Sequence, residues 1–511
     1  MGAAGMKNST KHIAVIGAGP GGLTAAMILA NRGFNVSVFE KQTRVGGRNG
    51  EIKLGEFTFD VGPTFLMMKD ILDEVMREAG VNSSDLLDFR RLDPMYRLQY
   101  SGSEHMDITA DREQMKRRIA ALFPGKEDAL NHFFEREQMR FRRLFPCLQK
   151  PYHKLSTLFS WQLMQAVPHI ALGRSLFDVM YDYFQDERLA LSFTFQAKYL
   201  GMSPWDCPGL FAILPYIEHH FGVYHVQGGL CRISEVMADV ARRNGADIHL
   251  GTPVSEIIID GRTAVGVKLE NGEEVRADDV VVNADFGRAM CNLVPDGVLR
   301  KYSPEKLERK RFSCSTFMLY LGVDTVYDVP HHTIVFADDY KRNVDEVFKQ
   351  KELSDDFSFY IRNASVTDPT SAPRGQSALY VLVPVPNLRG DLDWEELTPV
   401  FRERVLDAVE ARTGMSDIRR HIVAERIIGP NDWQDDFEVY AGATFNLGHN
   451  FGQMIYLRPH NQFEELQHCY LVGGGTHPGS GLPTIYESGR ISANLISRQY
   501  NVPFTSANLH M

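Results

Sequence analysis

HIAVIGAGPGGLTAAMILANRGFNVSVFE, residues 12–40, opens on a short apolar run from His12 to Ile16. Gly17, Gly19 and Gly22 follow in GxGxxG spacing at the start of a helical pattern. The expected order is strand, turn, helix. Each glycine answers a different need: Gly17 permits the tight turn, Gly19 lets the backbone approach a pyrophosphate, and Gly22 allows close helix-to-strand packing. The helix N-terminus adds free N–H groups and a favourable dipole for phosphate. Leu23, Ala26, Met27 and Ala30 recur at helical spacing, and Gly33 sits where a C-terminal cap belongs. A second strand is expected over Asn35 to Phe39. Glu40 ends it, where a carboxylate accepts hydrogen bonds from ribose hydroxyls and repels a 2′-phosphate. The segment reads as a dinucleotide site.

A second glycine turn, Val45-Gly46-Gly47-Arg48, follows closely. Here the sequence resembles the large flavoprotein group that includes amine oxidases and carotene desaturases. That resemblance implies FAD rather than NAD, with Gly47 in the turn and Arg48 making a charge-assisted contact to the flavin-side phosphate. Only one complete GxGxxG fingerprint is present, and FAD would fill it.

Two further pieces belong to the same fold. Leu230, Ile233, Val236, Met237 and Val240 mark one face of a helix that ends before Gly245, and a strand over Asp247 to Leu250 follows. Val254 to Ile259, Ala264 to Leu269 and Glu274 to Arg276 alternate with Asp260-Gly261 and Asn271-Gly272, strong hairpin signals that predict an antiparallel meander. Asp278 to Asn283, with its run of valines, suits a buried parallel strand. Cys469 to Val472 is a third strand, followed by the turn Gly473 to Gly479 and a helix from about Pro483 to Ser497. A helix N-terminus there stabilises negative charge on a reduced flavin ring, with Gly475, Thr476 and His477 expected beside it.

Three segments taken together resemble bacterial-type phytoene desaturases and their shorter-substrate relatives, the diapophytoene desaturases. They are Phe57-Thr58-Phe59-Asp60-Val61-Gly62-Pro63-Thr64, Tyr456-Leu457-Arg458-Pro459-His460-Asn461, and Gly475-Thr476-His477-Pro478-Gly479. The likeness runs from residue 11 to residue 498. It implies an α/β fold with a discontinuous Rossmann-like, glutathione-reductase-like FAD-binding domain (11–105, 226–300 and 465–500). A helical, membrane-facing substrate region (106–225) and an α+β substrate domain (301–464) are inserted into it. Val254 matches a position whose backbone lies near the adenine in such folds. Many flavoproteins place an Asp in the C-terminal glycine turn; this turn has none, so Thr476 or a backbone amide is expected to substitute.

The activity this implies is FAD-dependent introduction of conjugated double bonds into a colourless precursor, phytoene or diapophytoene. An apolar polyene offers no hydrogen-bonding handle and must be held by burial and shape. Tyr152 to Tyr216 is rich enough in Phe, Tyr, Leu and Met to supply part of such a tunnel. Residues 112–145 mix Lys116, Arg117, Arg118, Arg136, Arg140, Arg142 and Arg143 with Phe123, Phe133, Phe134, Phe141 and Phe145. By themselves these residues suit a helix with a solvated charged face; the resemblance, to a family whose hydrocarbon substrates reside in bilayers, implies that the region meets an anionic membrane interface. His477 and Glu487 are the titratable groups nearest the flavin turn, and so the candidate proton-handling residues.

Bulk properties narrow the classes. A net charge of -10 argues against a nucleic-acid binder, because phosphate contacts need concentrated positive charge. The six cysteines are scattered, without a CxxC pair, so neither a disulfide framework nor a metal site is expected. The first dozen residues lack a signal-peptide core, Met6 stands where N-myristoylation needs Ser or Thr, and no apolar run of about 18 residues exists. A cytoplasmic protein, peripheral on the inner face of the membrane, is the expectation. Oxygen or a quinone is the expected electron acceptor, and oligomeric state is left open. Alternatives are an oxidase turning terminal methyl groups of a C30 carotenoid into aldehyde, an amine oxidase, and a non-catalytic isoprenoid carrier.

Overall fold

The computed structural model of the chain describes residues 11–505; Met6, which bears on myristoylation, lies outside them. The first strand and helix fall where the sequence places them: β1 (His12–Ile16), α1 (Pro20–Asn31) and β2 (Asn35–Phe39). Then come α2 (Cys231–Arg243), β3 (Asp247–His249), β4 (Asp279–Val282), β5 (Cys469–Leu471) and α3 (Leu482–Gln499). The five strands form one parallel sheet in the order β5-β4-β1-β2-β3. Three distant pieces of chain thus make a single layer.

Both faces of that sheet are covered, which is why its inner strands carry apolar residues on both faces, as in Ile13–Ile16 and Val280–Val282. Ile13 and Val15 point to the face carrying α1, which packs between α2 and α3. Ala14 and Ile16 point to the other face, against Ile257, Val267, Val280 and Val282. Ile257 and Val267 come from the expected meander, whose strands are Val254–Asp260, Thr263–Leu269 and Glu274–Arg276. The fold is α/β with a second, mixed sheet beside this one.

The second sheet has seven strands in the order Ile422–Ile428, Ser315–Val323, Ser377–Val385, Phe359–Asn363, His332–Val335, Tyr96–Gln99, His105–Ile108. On one face Phe317, Leu319, Leu321 and Val381 pack against Trp394, Phe401, Val405 and Val409 of helix Trp394–Arg412. On the other, Met318, Tyr320 and Tyr380 meet Phe57, Phe59 and Trp433. Tyr96–Gln99 and His105–Ile108 straddle the expected division at residue 105, yet the former pairs with His332–Val335 and so joins the second sheet. The division these pairings favour falls before Tyr96.

The helices expected at a membrane interface, Arg112–Leu122 and Ala129–Leu148, turn out differently. Phe123, Phe133, Phe134, Phe141 and Phe145 are all buried in the main core. The charges face outward or find partners, as Arg140 does with Glu137. These are ordinary amphipathic helices whose aromatic stripe is core. Exposed apolar side chains lie just beyond, at Leu155, Phe159, Trp161, Met164, Val167 and Leu172. Among the described residues no helix is long and apolar enough to cross a membrane.

Candidate functional site

A cavity of about 1010 Å³ runs along the ends of the parallel strands and under the second sheet. Its nucleotide end is lined by Gly17, Gly19, Glu40, Gly47, Arg48, Val254 and Asn283. Glu40 is buried at the end of β2; one carboxylate oxygen accepts the Ala18 N–H at 2.7 Å and the other the Gln42 N–H at 2.9 Å. Burial pushes its pKa up, and these two bonds hold it back.

The glycines of the first turn close around one residue that sequence reading missed. A Cβ on Gly17 would lie 2.5 Å from the Asn283 carbonyl oxygen, and one on Gly19 would lie 2.8 Å from its side-chain nitrogen. The Asn283 amide in turn donates to the Gly17 carbonyl at 3.1 Å. Gly22 faces the Gly17 carbonyl, off the cavity wall, and serves packing. The sequence signal for Asn283 is its place at the end of a valine strand opposite the glycine turn.

Gly47 has φ +52°, and no atom stands within 4 Å of where its Cβ would project, although it lines the cavity. A side chain there would fill the groove, so the position is cut to admit a ligand. Arg48 donates to the Thr444 carbonyl at 2.6 Å, joining the second turn to the far side of the cavity. Glycine backbone, a buried strand-end carboxylate and an arginine on one groove fit a dinucleotide such as FAD.

The C-terminal turn departs from expectation. Its cavity-lining residues are Gly473, Gly474, Ser480, Gly481 and Leu482, the last two at the N-terminus of α3. Gly475, Thr476, His477 and Glu487 are not on the wall. A Cβ on Gly475 would strike Phe286 at 2.4 Å, so this glycine serves close packing. Thr476 is buried and gives its carbonyl to Arg458. His477 faces the Leu148 and Lys150 carbonyls, and burial together with Arg458 holds its pKa down at about 3. Glu487 is locked to Arg490 through a 2.9 Å bond from Nε and accepts from Gln149 at 3.1 Å. Neither reaches the cavity as an acid or base. With no Asp present and Thr476 turned away, the side chains of this turn supply no such acid; its Gly473 and Ser480 N–H groups already donate to Ser488 (2.8 Å) and His449 (3.0 Å), which leaves the start of α3 at Gly481 and Leu482 as the backbone facing the cavity.

What holds the turn is Arg458, which is fully buried and has no carboxylate partner among the described residues. Its guanidinium donates to the carbonyls of Thr476 (3.0 Å), Gly474 (2.5 Å), Gln453 (3.1 Å), Gly448 (3.2 Å) and Leu447 (3.3 Å). Burial lowers its pKa to about 9. Asn461 adds a bond to the His477 carbonyl at 2.9 Å. The segment Tyr456 to Asn461 is therefore the clamp of the C-terminal glycine turn.

Beyond that turn the cavity becomes an apolar arm lined by Phe65, Met67, Phe195, Tyr199, Ile334, Phe359, Tyr360, Tyr380 and Leu382. Phe65 is its hub, stacked on His332 at 4.1 Å and touching Tyr199 and Tyr360. Of the Tyr152–Tyr216 aromatics, Phe195 and Tyr199 reach the wall; Phe184 and Phe193 are core, while Phe159 and Trp161 face solvent. The rest of the arm comes from the 57–67 segment and the second sheet, which helical periodicity could not assign.

The profile of flavin containing amine oxidoreductases matches residues 20–497. The 4,4'-diapophytoene desaturase (4,4'-diapolycopene-forming) of Methylomonas sp is 53% identical over 496 residues, covering 97% of each chain. The all-trans-zeta-carotene desaturase of Myxococcus xanthus is 38% identical, covering 96% of this chain and 94% of its own. Among solved structures, an oxidoreductase from Methanosarcina mazei superposes with TM-score 0.64 at 17% identity, covering 94% of this chain and 99% of its own, a likeness of fold. The glycine-lined groove, the apolar arm and these relatives converge: the chain belongs to the flavin containing amine oxidoreductase family, as an FAD-dependent oxidoreductase of the carotenoid-desaturase kind that acts on CH–CH bonds.

Proposed function

We propose that the chain desaturates diapophytoene, the C30 precursor, to a coloured polyene with several new conjugated double bonds. The observation that carries this is the union in one cavity of a dinucleotide groove and an apolar aromatic arm. The higher identity to the diapophytoene enzyme than to the zeta-carotene enzyme favours C30 over C40. Bound FAD supplies the acceptor for hydride. These residues would hold it: Glu40 would take the ribose, Gly17, Gly19 and Gly47 would leave room for the phosphates, Arg48 would neutralise the flavin-side phosphate, and Val254 would be the residue beside the adenine. The α3 N-terminus and the Gly473–Gly474 backbone would be the groups that receive the ring. The arm of Phe65, Tyr360 and Leu382 excludes water and aligns the chain of the polyene.

The substrate lives in bilayers, and we place the membrane contact at Leu155, Phe159, Trp161, Met164, Val167 and Leu172, an exposed apolar patch flanked by Arg143, Lys154 and Arg174. Phe159→Ser with Trp161→Ser is expected to abolish flotation with anionic liposomes; unchanged flotation removes the patch from the account. Oxygen or a quinone takes the electrons onward.

One observation favours terminal oxidation as a second reading. Lys198 lines the cavity, and burial lowers its pKa to about 8. A hydrocarbon offers that amine nothing, whereas a terminal aldehyde would accept its hydrogen bond. Chromatography after incubation with diapophytoene, phytoene and a preformed diapocarotenoid separates the readings. Coloured product from diapophytoene in preference to phytoene supports the proposal; aldehyde from the coloured carotenoid alone replaces it with terminal oxidation.

A further inference from the structure

Desaturation releases a proton as well as a hydride, and no carboxylate lines the aromatic arm. The passage between groove and arm offers hydroxyls instead. Val61 to Phe65 run along its wall from the dinucleotide groove into the arm. At the groove end, a Cβ on Gly62 would lie 2.9 Å from the Arg48 carbonyl oxygen, so the segment is seated on the second glycine turn. Tyr320 and Tyr380 pin it from the second sheet, donating to the carbonyls of Val61 at 2.5 Å and Gly62 at 3.0 Å. Thr64 follows at the arm end, and its hydroxyl meets that of Tyr360 at 2.8 Å. Thr64 and Tyr360 both line the cavity.

The Tyr360 hydroxyl has a second partner, Nδ1 of His332, at 2.6 Å. Thr64, Tyr360 and His332 thus form one hydrogen-bonded row that leads inward from the cavity wall. His332 is fully buried, Phe65 stacks on its ring at 4.1 Å, and its Nε2 has no hydrogen-bond partner. Phenylalanine would fill that place without the cost of an unpaired buried nitrogen, so the imidazole asks for a role that Nδ1 can serve. The charges nearby are spent on one another. Arg362, beside His332 across the strand pair, is bound to Asp60 at 2.8 Å, and His225 is bound to Asp368 at 2.9 Å. His331 packs on His332 with ring centroids 4.4 Å apart. Burial, together with Arg362 and His225, holds the His332 pKa well below its ordinary value, so the ring is neutral at working pH and its lone pair is free to take a proton.

We propose that Tyr360 and His332 carry off the proton of the desaturation, an inference that rests on the desaturase reading. The Tyr360 oxygen takes the proton from the substrate carbon next to the one that loses hydride, and the tyrosine passes its own hydroxyl proton to Nδ1 of His332. The C–H electron pair becomes the π bond of the new double bond, and the hydride leaves by the flavin chemistry. Tyrosine ends as it began. His332 becomes an imidazolium, whose proton is consumed when oxygen or a quinone is reduced. So weak a base suffices, because a carbon chain that has lost hydride is a far stronger acid than an imidazolium. Tyr360 is the catalytic residue; His332 acts through it, and Thr64 positions its hydroxyl.

The test gives FAD-loaded enzyme diapophytoene in liposomes, either unlabelled or deuterated at the carbons that lose the proton. In the wild type hydride loss is the slow step, and the label should change kcat by less than about 1.5-fold. His332→Asn keeps a hydrogen-bonding partner for Tyr360 but cannot hold a proton. That variant and Tyr360→Phe should each run roughly 100-fold slower in kcat with KM and flavin content kept, and the label should slow them a further threefold or so. In the ligand-free protein, nitrogen NMR of labelled histidine should show one ring, missing from His332→Asn, that stays neutral from about pH 8 down to about pH 5. Coloured product from the wild type together with an unchanged kcat in either variant, or with slow variants indifferent to the label, overturns the proton route alone. A His332 ring already charged at neutral pH does the same. A wild type that leaves diapophytoene colourless overturns the desaturase reading and the route with it.

Discussion

The two glycine turns that close on the cavity are built on opposite principles. The first is held by an anion, Glu40, which accepts the amides of Ala18 and Gln42, while the neutral Asn283 amide donates to the Gly17 carbonyl. The second is held by a donor, the buried Arg458, which gathers five carbonyls from three stretches of chain. An anion next to a turn leaves the helix N-terminus to a phosphate. A cation beneath a turn draws its carbonyls back, leaving the start of α3 at Gly481 and Leu482 as the backbone facing the cavity. The same glycine chemistry therefore serves two ends of one dinucleotide.

The largest effect should come from Arg458→Met, which strands the buried carbonyls of Thr476, Gln453 and Leu447 and leaves those of Gly448 and Gly474 with one long bond each, from Gln453 and Ser480 at 3.3 Å. At about 1–3 kcal/mol for each unsatisfied group, the loss rivals the whole stability of a domain. The expected outcome is insoluble or flavin-free protein, read by flavin absorbance per chain. Arg458→Lys, with three donors, should retain part of its flavin and melt lower. Full flavin in the Met variant breaks the comparison.

Glu40→Gln should be milder. One amide keeps an acceptor while the other meets an N–H, at about 1–3 kcal/mol, so the fold survives and FAD dissociation rises roughly tenfold or more. Fluorescence titration of the apoprotein measures it, and unchanged affinity removes Glu40 from the ribose.

Glu218, completely buried on helix Ile213–Phe221 and accepting from Tyr96 at 2.8 Å and Gln196 at 2.7 Å, resembles Glu40 in that burial outweighs its hydrogen bonds and raises its pKa. Its folded pKa of about 7 exceeds the ordinary value of 4.5, so its contribution is fully present below about pH 4.5 and is lost as pH rises through 7. Across that window Glu218→Gln should gain on wild type by up to roughly 3 kcal/mol in urea unfolding. A pH-independent difference contradicts the burial argument. The smallest effect is expected for His477→Gln, which touches the turn only from behind. Turnover should stay within about twofold of wild type, and a collapse in kcat would return the histidine to the chemistry.

Much of the first turn was legible because its determinants are local: β1, α1 and β2 fall on their expected residues, and Glu40 lies at the end of β2. The second turn was legible as a motif and misleading as a contact list. Thr476 and His477 are near in sequence to the cavity-lining glycines but face away, whereas Arg458 and Asn283 arrive from elsewhere in the chain. Tyr456 to Asn461 marked the clamp without revealing what it clamps. The aromatic helices over 112–145 show the limit of composition: basic and aromatic residues describe both an interfacial helix and a core helix, and only packing separates them. Glu218 left a fainter mark, a lone acid after the apolar run Ile213 to Ile217.

The most direct test of one cavity joining flavin and polyene is an anaerobic stopped-flow experiment that mixes FAD-loaded protein with diapophytoene liposomes. The account predicts that flavin absorbance bleaches in step with the growth of a visible polyene spectrum, with a Leu382→Trp variant keeping its flavin and losing both signals. A flavin that stays oxidised in the wild type, or a variant with its arm blocked that still bleaches at the wild-type rate, would contradict it.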